Sequence, residues 1–259
     1  MYYKIKKFFD YISKERVAFC GIGISNLPLI YKFKGLGADV YACDRRTREQ
    51  LGTTADELEK AGIKLVLGAD YLKNLDVDII FRTPGMNFNL TELAEARKRG
   101  IIVTSEMEVF FDLCPCKLFA VTGSDGKTTT TTLIAKMLET QGYTVHLGGN
   151  IGRPLLPIID KINADDCAVV ELSSFQLISM RKSPNVSVIT NVAPNHLDVH
   201  KNMDEYVDAK RNIMIHQNAF SRTVLNDDNA ITKSFEPDVR GQAVMFSYHH
   251  PVDNGAYYG

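Results

Sequence analysis

The chain has 259 residues, 45% of them hydrophobic and 24% charged, with a formal net charge of −1. That length suits about two domains, and the charge balance excludes bulk attraction to nucleic acid or to acidic membrane surfaces. No stretch reaches the ~18 apolar residues of a membrane span, and no signal-peptide run follows the basic start, so a soluble, cytoplasmic protein is expected. The five cysteines have no disulfide-framework spacing, and the pair in Cys114-Pro-Cys116 is closer than a C-x-x-C motif. All five are expected to be reduced thiols.

Short apolar runs alternate with glycine turns and helical stretches. Strands are expected at 17–20, 40–43, 64–67, 78–81 and 101–103, with helices ending near Gly35 and covering 55–61 and 90–99. Cys114-Pro-Cys-Lys117 interrupts the scheme, which restarts with a strand at 118–122, a helix at 128–142, strands at 167–172 and 186–190 and a helix at 203–217. Strands follow at 223–225 and 243–248, the last read as the first arm of a hairpin. Strands alternating with helices predict parallel sheets covered on both faces. The expected fold is α/β, a Rossmann-like domain over 1–115 followed by a P-loop-type domain over 116–259.

The strongest local signal is Thr122-Gly-Ser-Asp-Gly-Lys-Thr-Thr129 at a strand-to-helix junction. Glycines let backbone N–H groups turn toward a phosphate, and the helix N-terminus adds partial positive charge. Gly123, Ser124, Asp125, Gly126 and Thr129 frame that turn, Lys127 can reach outer phosphates, and the Thr128 hydroxyl can ligate Mg²⁺. The motif is the shorter G-x-x-G-K-T, since Val121 occupies the first glycine position of the general P-loop. Glu171 follows a strand and suits a hard cation. Asn191, Asn195, His196, Asp198 and His200 gather after another strand. The spacing of the two histidines does not make a zinc motif, and His196 is read as a Mg²⁺ or substrate contact. Asn150, in the turn Gly148-Gly-Asn-Ile-Gly152, is a weaker phosphate candidate.

Near the N-terminus, Gly21-x-Gly23 with Asp44 imitates the dinucleotide fingerprint, but Asn26 replaces its third glycine. That argues against NAD and leaves another nucleotide open, with Asp44 as acceptor and Arg45 and Arg46 as nearby charge.

Taken in order, the Thr122–Thr129 turn, Gly148-Gly-Asn-Ile-Gly152, Glu171-Leu-Ser-Ser-Phe-Gln-Leu177 and Asn195-His-Leu-Asp-x-His200 resemble the Mur ligases of cell-wall peptide synthesis. The Ser-Ser-Phe-Gln-Leu string and Glu106-Met-Glu-Val-Phe110 point to the branch that adds D-glutamate. The resemblance runs from about residue 17 to the end. It implies UDP-N-acetylmuramoyl-L-alanine, D-glutamate and ATP as substrates, Mg²⁺ as cofactor, and a monomer. Ile24, Ser25, Asp44, Arg45 and Arg46 would hold the UDP moiety, with Thr83 of Thr83-Pro-Gly85 beside it. Lys127 would bind ATP phosphates, Asn226 adenine, and Asn150, Ser173 and His196 the muramoyl substrate. Thr128, Glu171 and His196 would hold metal, joined by Lys210 if carbamylated. The family's third domain has no counterpart here, so the chain is expected to stop within the central domain and to bind nucleotides without ligating. A non-catalytic nucleotide-binding module is the alternative.

Overall fold

The computed structural model describes residues 2–194 and 201–259, which divide into two compact units. The first takes the chain up to Leu113 together with Pro154–Lys161, and the second takes Cys114–Arg153 and Ile162–Gly259. The return of 154–161 to the first unit is built into its side chains. Leu155, Leu156 and Ile159 are fully buried, and the Glu106 carboxylate accepts the Leu155 and Leu156 N–H groups, both at 2.8 Å. Lys32 Nζ donates to Asp160 Oδ1 at 2.6 Å and to the Pro157 carbonyl at 2.7 Å.

In the first unit the order is α1 (Tyr2–Ile12), β1 (Arg16–Cys20), α2 (Leu27–Gly35), β2 (Asp39–Asp44), α3 (Arg48–Leu51), α4 (Thr53–Lys60), β3 (Lys64–Leu67), β4 (Ile79–Arg82), α5 (Thr91–Lys98), β5 (Ile102–Thr104) and α6 (Glu106–Leu113). The five strands form a parallel sheet in the order β3-β2-β1-β4-β5. β1 and β4 are buried on both faces, which is why they read as unbroken apolar runs. Phe19 stacks on Phe81 with centroids 5.1 Å apart, and Phe33 from α2 meets both rings edge-on at 5.4 Å. Each fully buried ring contributes about 1.5–3 kcal/mol of burial free energy, so this trio fixes α2 on the sheet. The N-terminal helix α1, which the alternation of strands does not foretell, adds Phe8 and Phe9 against Phe33.

The second unit contains β6 (Lys117–Thr122), α7 (Lys127–Thr140), β7 (Val145–Gly149), β8 (Cys167–Glu171), α8 (Ser174–Leu177), β9 (Val186–Ile189), α9 (Met203–Arg211), β10 (Arg222–Asn226), α10 (Ala230–Lys233), β11 (Gln242–Ser247) and β12 (Gly255–Tyr257). Its sheet order is β12-β11-β10-β9-β6-β8-β7, with all pairings parallel. Two expectations are corrected. The hairpin after 243–248 is absent, because β12 lies parallel to β11, with Met245 opposite Gly255. The glycine turn at 147–152 begins as a strand, because β7 extends through Gly149 alongside β8.

Candidate nucleotide sites

Ligands of open parallel sheets lie beyond the carboxyl ends of strands, where the strand order reverses. In the second unit β6 is that strand, with β8 on one side and β9 on the other. The turn after β6 is the glycine-rich Gly123–Gly126. Gly123 has φ +153°, and a Cβ there would collide with Thr190 Oγ1, so the turn packs tightly on the end of β9. Thr190 Oγ1 donates to the Asp125 carbonyl at 2.6 Å. Asn191 Oδ1 accepts the Asp125 N–H at 3.0 Å, and the Asn191 carbonyl accepts the Ser124 N–H at 2.9 Å. Among the described residues no side chain caps α7, whose N-cap is Gly126, so the positive end of a 14-residue helix faces the turn.

Lys127, on the first residue of α7, donates from Nζ to the Ser124 carbonyl at 2.9 Å. An ammonium has three donor hydrogens, so among the described residues two are left for phosphate oxygens. Thr128 Oγ1 donates to Glu171 Oε2 at 2.6 Å, and Asn150 Nδ2 donates to Glu171 Oε1 at 2.8 Å. Thus Thr128, Glu171 and Asn150, from α7, β8 and the end of β7, meet at one carboxylate. Thr129 is exposed one residue further along α7.

Lys210 is 2% exposed and donates from Nζ to the Gly123 carbonyl at 2.7 Å. Burial, with the charge of Lys127 added, lowers its pKa to about 7, against a smaller opposing pull from Asp125. Its ammonium lies 4.6 Å from the centre of the Tyr206 ring. The Tyr206 hydroxyl meets Ser124 Oγ at 3.0 Å. Sequence reading passed over Tyr206 and Thr190. Tyr206 sits four residues before Lys210 on one helix, the spacing that places two side chains on the same face, and that was the available signal.

Asn226, at the end of β10, donates to the Thr190 carbonyl at 2.9 Å. Ser173 closes a capping box with Gln176 at the start of α8, which is the work its hydroxyl does in this fold. His196 lies outside the described residues, as do Asn195, Asp198 and His200.

The first unit has its own reversal at β1, between β2 and β4. Gly21 follows β1 with φ +100°, and a Cβ there would stand 2.8 Å from Thr83 carbons. Thr83 in turn donates its N–H to the Cys20 carbonyl at 2.9 Å. Asn26 explains how the turn does without a third glycine. Its side chain is buried and donates from Nδ2 to the Gly21 carbonyl at 3.0 Å. Asp44 Oδ2 accepts the Ile22 N–H at 2.8 Å, and both carboxylate oxygens accept from Arg46. Burial opposes ionisation of Asp44, but the hydrogen bonds from Arg46 and the Ile22 N–H outweigh it and hold the carboxyl below its ordinary value. Arg46 Nη2 also donates to the Ile22 carbonyl at 2.6 Å. Ile24 is 81% exposed at the tip of the turn, Ser25 is half-buried and Arg45 is exposed. Arg82, unforeseen from sequence, is fully buried at the end of β4 and donates to the Met86 carbonyl at 3.1 Å, shaping the Thr83-Pro-Gly85 loop.

Among the described residues no cluster of three or more His, Cys, Asp or Glu side chains could hold a metal, and no helix is long and apolar enough to cross a membrane.

The Mur ligase middle domain matches residues 121–255. The UDP-N-acetylmuramoylalanine–D-glutamate ligase of Acetivibrio thermocellus is 54% identical over 254 residues, covering 98% of this chain and 54% of that protein. The protein of the same name from Ruminiclostridium cellulolyticum is 52% identical over 256 residues, covering 98% and 55%. The chain therefore spans about half the length of the curated relatives it matches. Among solved structures, a UDP-N-acetylmuramate-alanine ligase of Thermotoga maritima aligns with a TM-score of 0.53 at 23% identity, covering 92% of this chain and 53% of that one. A UDP-N-acetylmuramate:L-alanyl-gamma-D-glutamyl-meso-diaminopimelate ligase of Neisseria meningitides aligns with a TM-score of 0.59 at 16% identity, covering 93% and 82%. These two likenesses are of fold.

Proposed function

Because the chain belongs to the Mur ligase family, we propose that it serves an ATP-dependent ligation joining D-glutamate to UDP-N-acetylmuramoyl-L-alanine, in the cytoplasm. The observation that carries this reading is the turn after β6. Lys127, Thr128 and Glu171 converge there at the strand-order reversal, and relatives about half identical carry the D-glutamate ligase name. ATP phosphates would lie along the turn and the N-terminus of α7. The UDP moiety would lie at the Gly21–Ser25 turn, with Asp44 and Arg46 holding that turn in shape, and Asn226 would approach adenine.

In the reaction the terminal carboxylate of the alanyl substrate attacks the γ-phosphorus, and ADP leaves. The amine of D-glutamate then attacks the acyl carbon, phosphate leaves, and an amide remains. Lys127 neutralises charge on the transferring phosphoryl group. The neutral hydroxyl of Thr128 and the carboxylate of Glu171 are the hard oxygen donors that Mg²⁺ prefers, and their 2.6 Å approach beside the turn fits such an ion. Bound there, Mg²⁺ would supply further charge neutralisation. Asn150 orients the Glu171 carboxylate through its 2.8 Å hydrogen bond. Lys210, whose buried amine loses its proton near neutrality, is suited to add CO₂ at Nζ with loss of a proton, giving an anionic carbamate. His196 and Ser173 stay assigned to the substrate, and His196 to metal, by family resemblance.

The test is ADP release by a protein extending through the length of the relatives, with the product weighed by mass spectrometry. ADP release should require both UDP-N-acetylmuramoyl-L-alanine and D-glutamate, and the product should carry one added glutamyl residue. Release that ignores either substrate would overturn the assignment. A polypeptide limited to residues 1–259 is expected to bind both nucleotides without ligating at an enzymatic rate.

A further inference from the structure

The link between α6 and β6 carries a dithiol for which the ligase reading has no use. Cys114 and Cys116 flank Pro115, and their sulfurs lie 3.7 Å apart. Both are free thiols. Cys114 is partly exposed, whereas Cys116 is buried at 9%. As a thiol, Cys114 Sγ donates to the Cys116 carbonyl at 3.7 Å. Neither residue belongs to a helix or strand, so their backbone is outside the sheet ladder. A disulfide needs the sulfurs at about 2.0 Å, a closure that rotation of two side chains in an irregular segment can supply.

We propose that Cys114 and Cys116 form a reversible dithiol–disulfide site that reacts with small-molecule disulfides, Cys114 attacking first. The order follows from exposure and charge. A hydrogen bond from the Cys116 thiol lowers the Cys114 pKa, burial opposes it, and the Lys182 charge assists. Cys116 is pushed up by its hydrogen bond to Cys114 and by burial, with the Cys167 and Asp166 groups adding to it. The more accessible sulfur is thus also the more readily ionised one, as a nucleophilic thiol requires.

The chemistry closes in two exchanges. The Cys114 thiolate attacks one sulfur of a disulfide RSSR, forming a mixed disulfide and releasing RS⁻. The Cys116 thiol gives its proton to that thiolate, directly or through solvent, and its sulfur attacks Cys114 Sγ. The intramolecular bond forms and a second thiolate leaves, taking up a proton. Two protein thiols are oxidised and one RSSR is reduced to two RSH. The ring so formed is small and strained, which makes the bond easily reduced again, a property suited to sensing rather than to structural bracing.

The experiment exposes the folded chain to oxidised glutathione, quenches with acid, alkylates under denaturing conditions and maps tryptic peptides. Both cysteines fall in the single peptide 100–117, which ends at Lys117. The expected result is conversion of that peptide to a form carrying neither glutathione nor an alkyl group, ~2 Da lighter than the unalkylated dithiol peptide. It should form roughly tenfold faster in the folded chain than in guanidinium, because folding holds the sulfurs together. In Cys116→Ser the mixed disulfide should persist on Cys114, and in Cys114→Ser the reaction of Cys116 should be roughly tenfold slower. A folded wild-type chain that keeps both thiols free, or that stops at a glutathione adduct, overturns the proposal. Equal rates folded and unfolded overturn its geometric basis, and a faster Cys116 overturns the order of attack.

Discussion

Thr128 Oγ1 donates to Glu171 Oε2 across 2.6 Å, joining the first turn of α7 to the carboxyl end of β8. The hydroxyl proton holds two hard oxygens in the space where a divalent cation would bring them together. Replacing Glu171 by Gln keeps an acceptor for Thr128 and removes the negative charge. The Mg²⁺ concentration needed for half-maximal ATP binding should rise by about 10–100-fold, read by calorimetric titration at fixed ATP. An unchanged Mg²⁺ requirement would show that Glu171 serves only to hold α7.

Lys127 contributes little to the fold, because among the described residues its ammonium makes one hydrogen bond, to the Ser124 carbonyl three residues back. Lys127→Ala should therefore leave the melting temperature near that of the parent. ATP affinity should fall at least roughly tenfold, the value of one charge-assisted hydrogen bond, while UDP affinity should stay as it was. Parental ATP affinity in the variant would remove the phosphate assignment.

Asp44 acts on the first-unit turn through Ile22 and Arg46. Asp44→Asn breaks the ion pair, and the loss of one charged partner in this partly buried network should cost about 1–3 kcal/mol. Since the folded carboxyl is held below its ordinary pKa, its contribution is present above the unfolded value of about 4 and is lost as pH falls through the lower folded value. The gap in melting temperature between parent and variant should be widest at neutral pH and narrow in acid. UDP binding should weaken along with it, and a gap independent of pH would contradict the hydrogen-bond account.

Much of this was legible in sequence, for reasons particular residues show. The strand at 64–67 coincides residue for residue with β3, because Leu65-Val-Leu67 is bounded by a turn on each side. The turn before α7 was legible because glycine, lysine and threonine occur there at a spacing that phosphate chemistry explains. The helix read over 203–217 instead ends at Arg211, where Asn212 turns its side chain to the Leu177 carbonyl at 3.0 Å. That is a contact with a distant segment, which local pattern cannot reveal. The same holds for the hydrogen bond by which Asp44 holds the Ile22 turn, made to a residue twenty-two positions back. It holds also for Glu106, whose partners Leu155 and Leu156 lie about fifty residues on.

Glu106 supplies the sharpest pH test. It is 5% exposed, and burial raises its pKa from 4.5 to about 7 against the opposing pull of the Leu156 and Leu155 N–H groups. A carboxyl whose folded pKa exceeds its unfolded one takes up a proton on folding. Its contribution is therefore most favourable below the unfolded value of about 4.5 and is lost as pH rises through about 7. The change amounts to something on the order of 3 kcal/mol, at 1.36 kcal/mol per pKa unit. Glu106→Gln retains an oxygen that can accept both N–H groups and cannot ionise. The variant should gain on the parent as pH rises from about 5 and level off above about 7, by roughly 2–4 °C in melting temperature for each kcal/mol. Thermal unfolding of both proteins in matched buffers measures it. A difference that stays constant across that range would mean that Glu106 is ionised in the fold throughout, its charge carried by the two backbone donors.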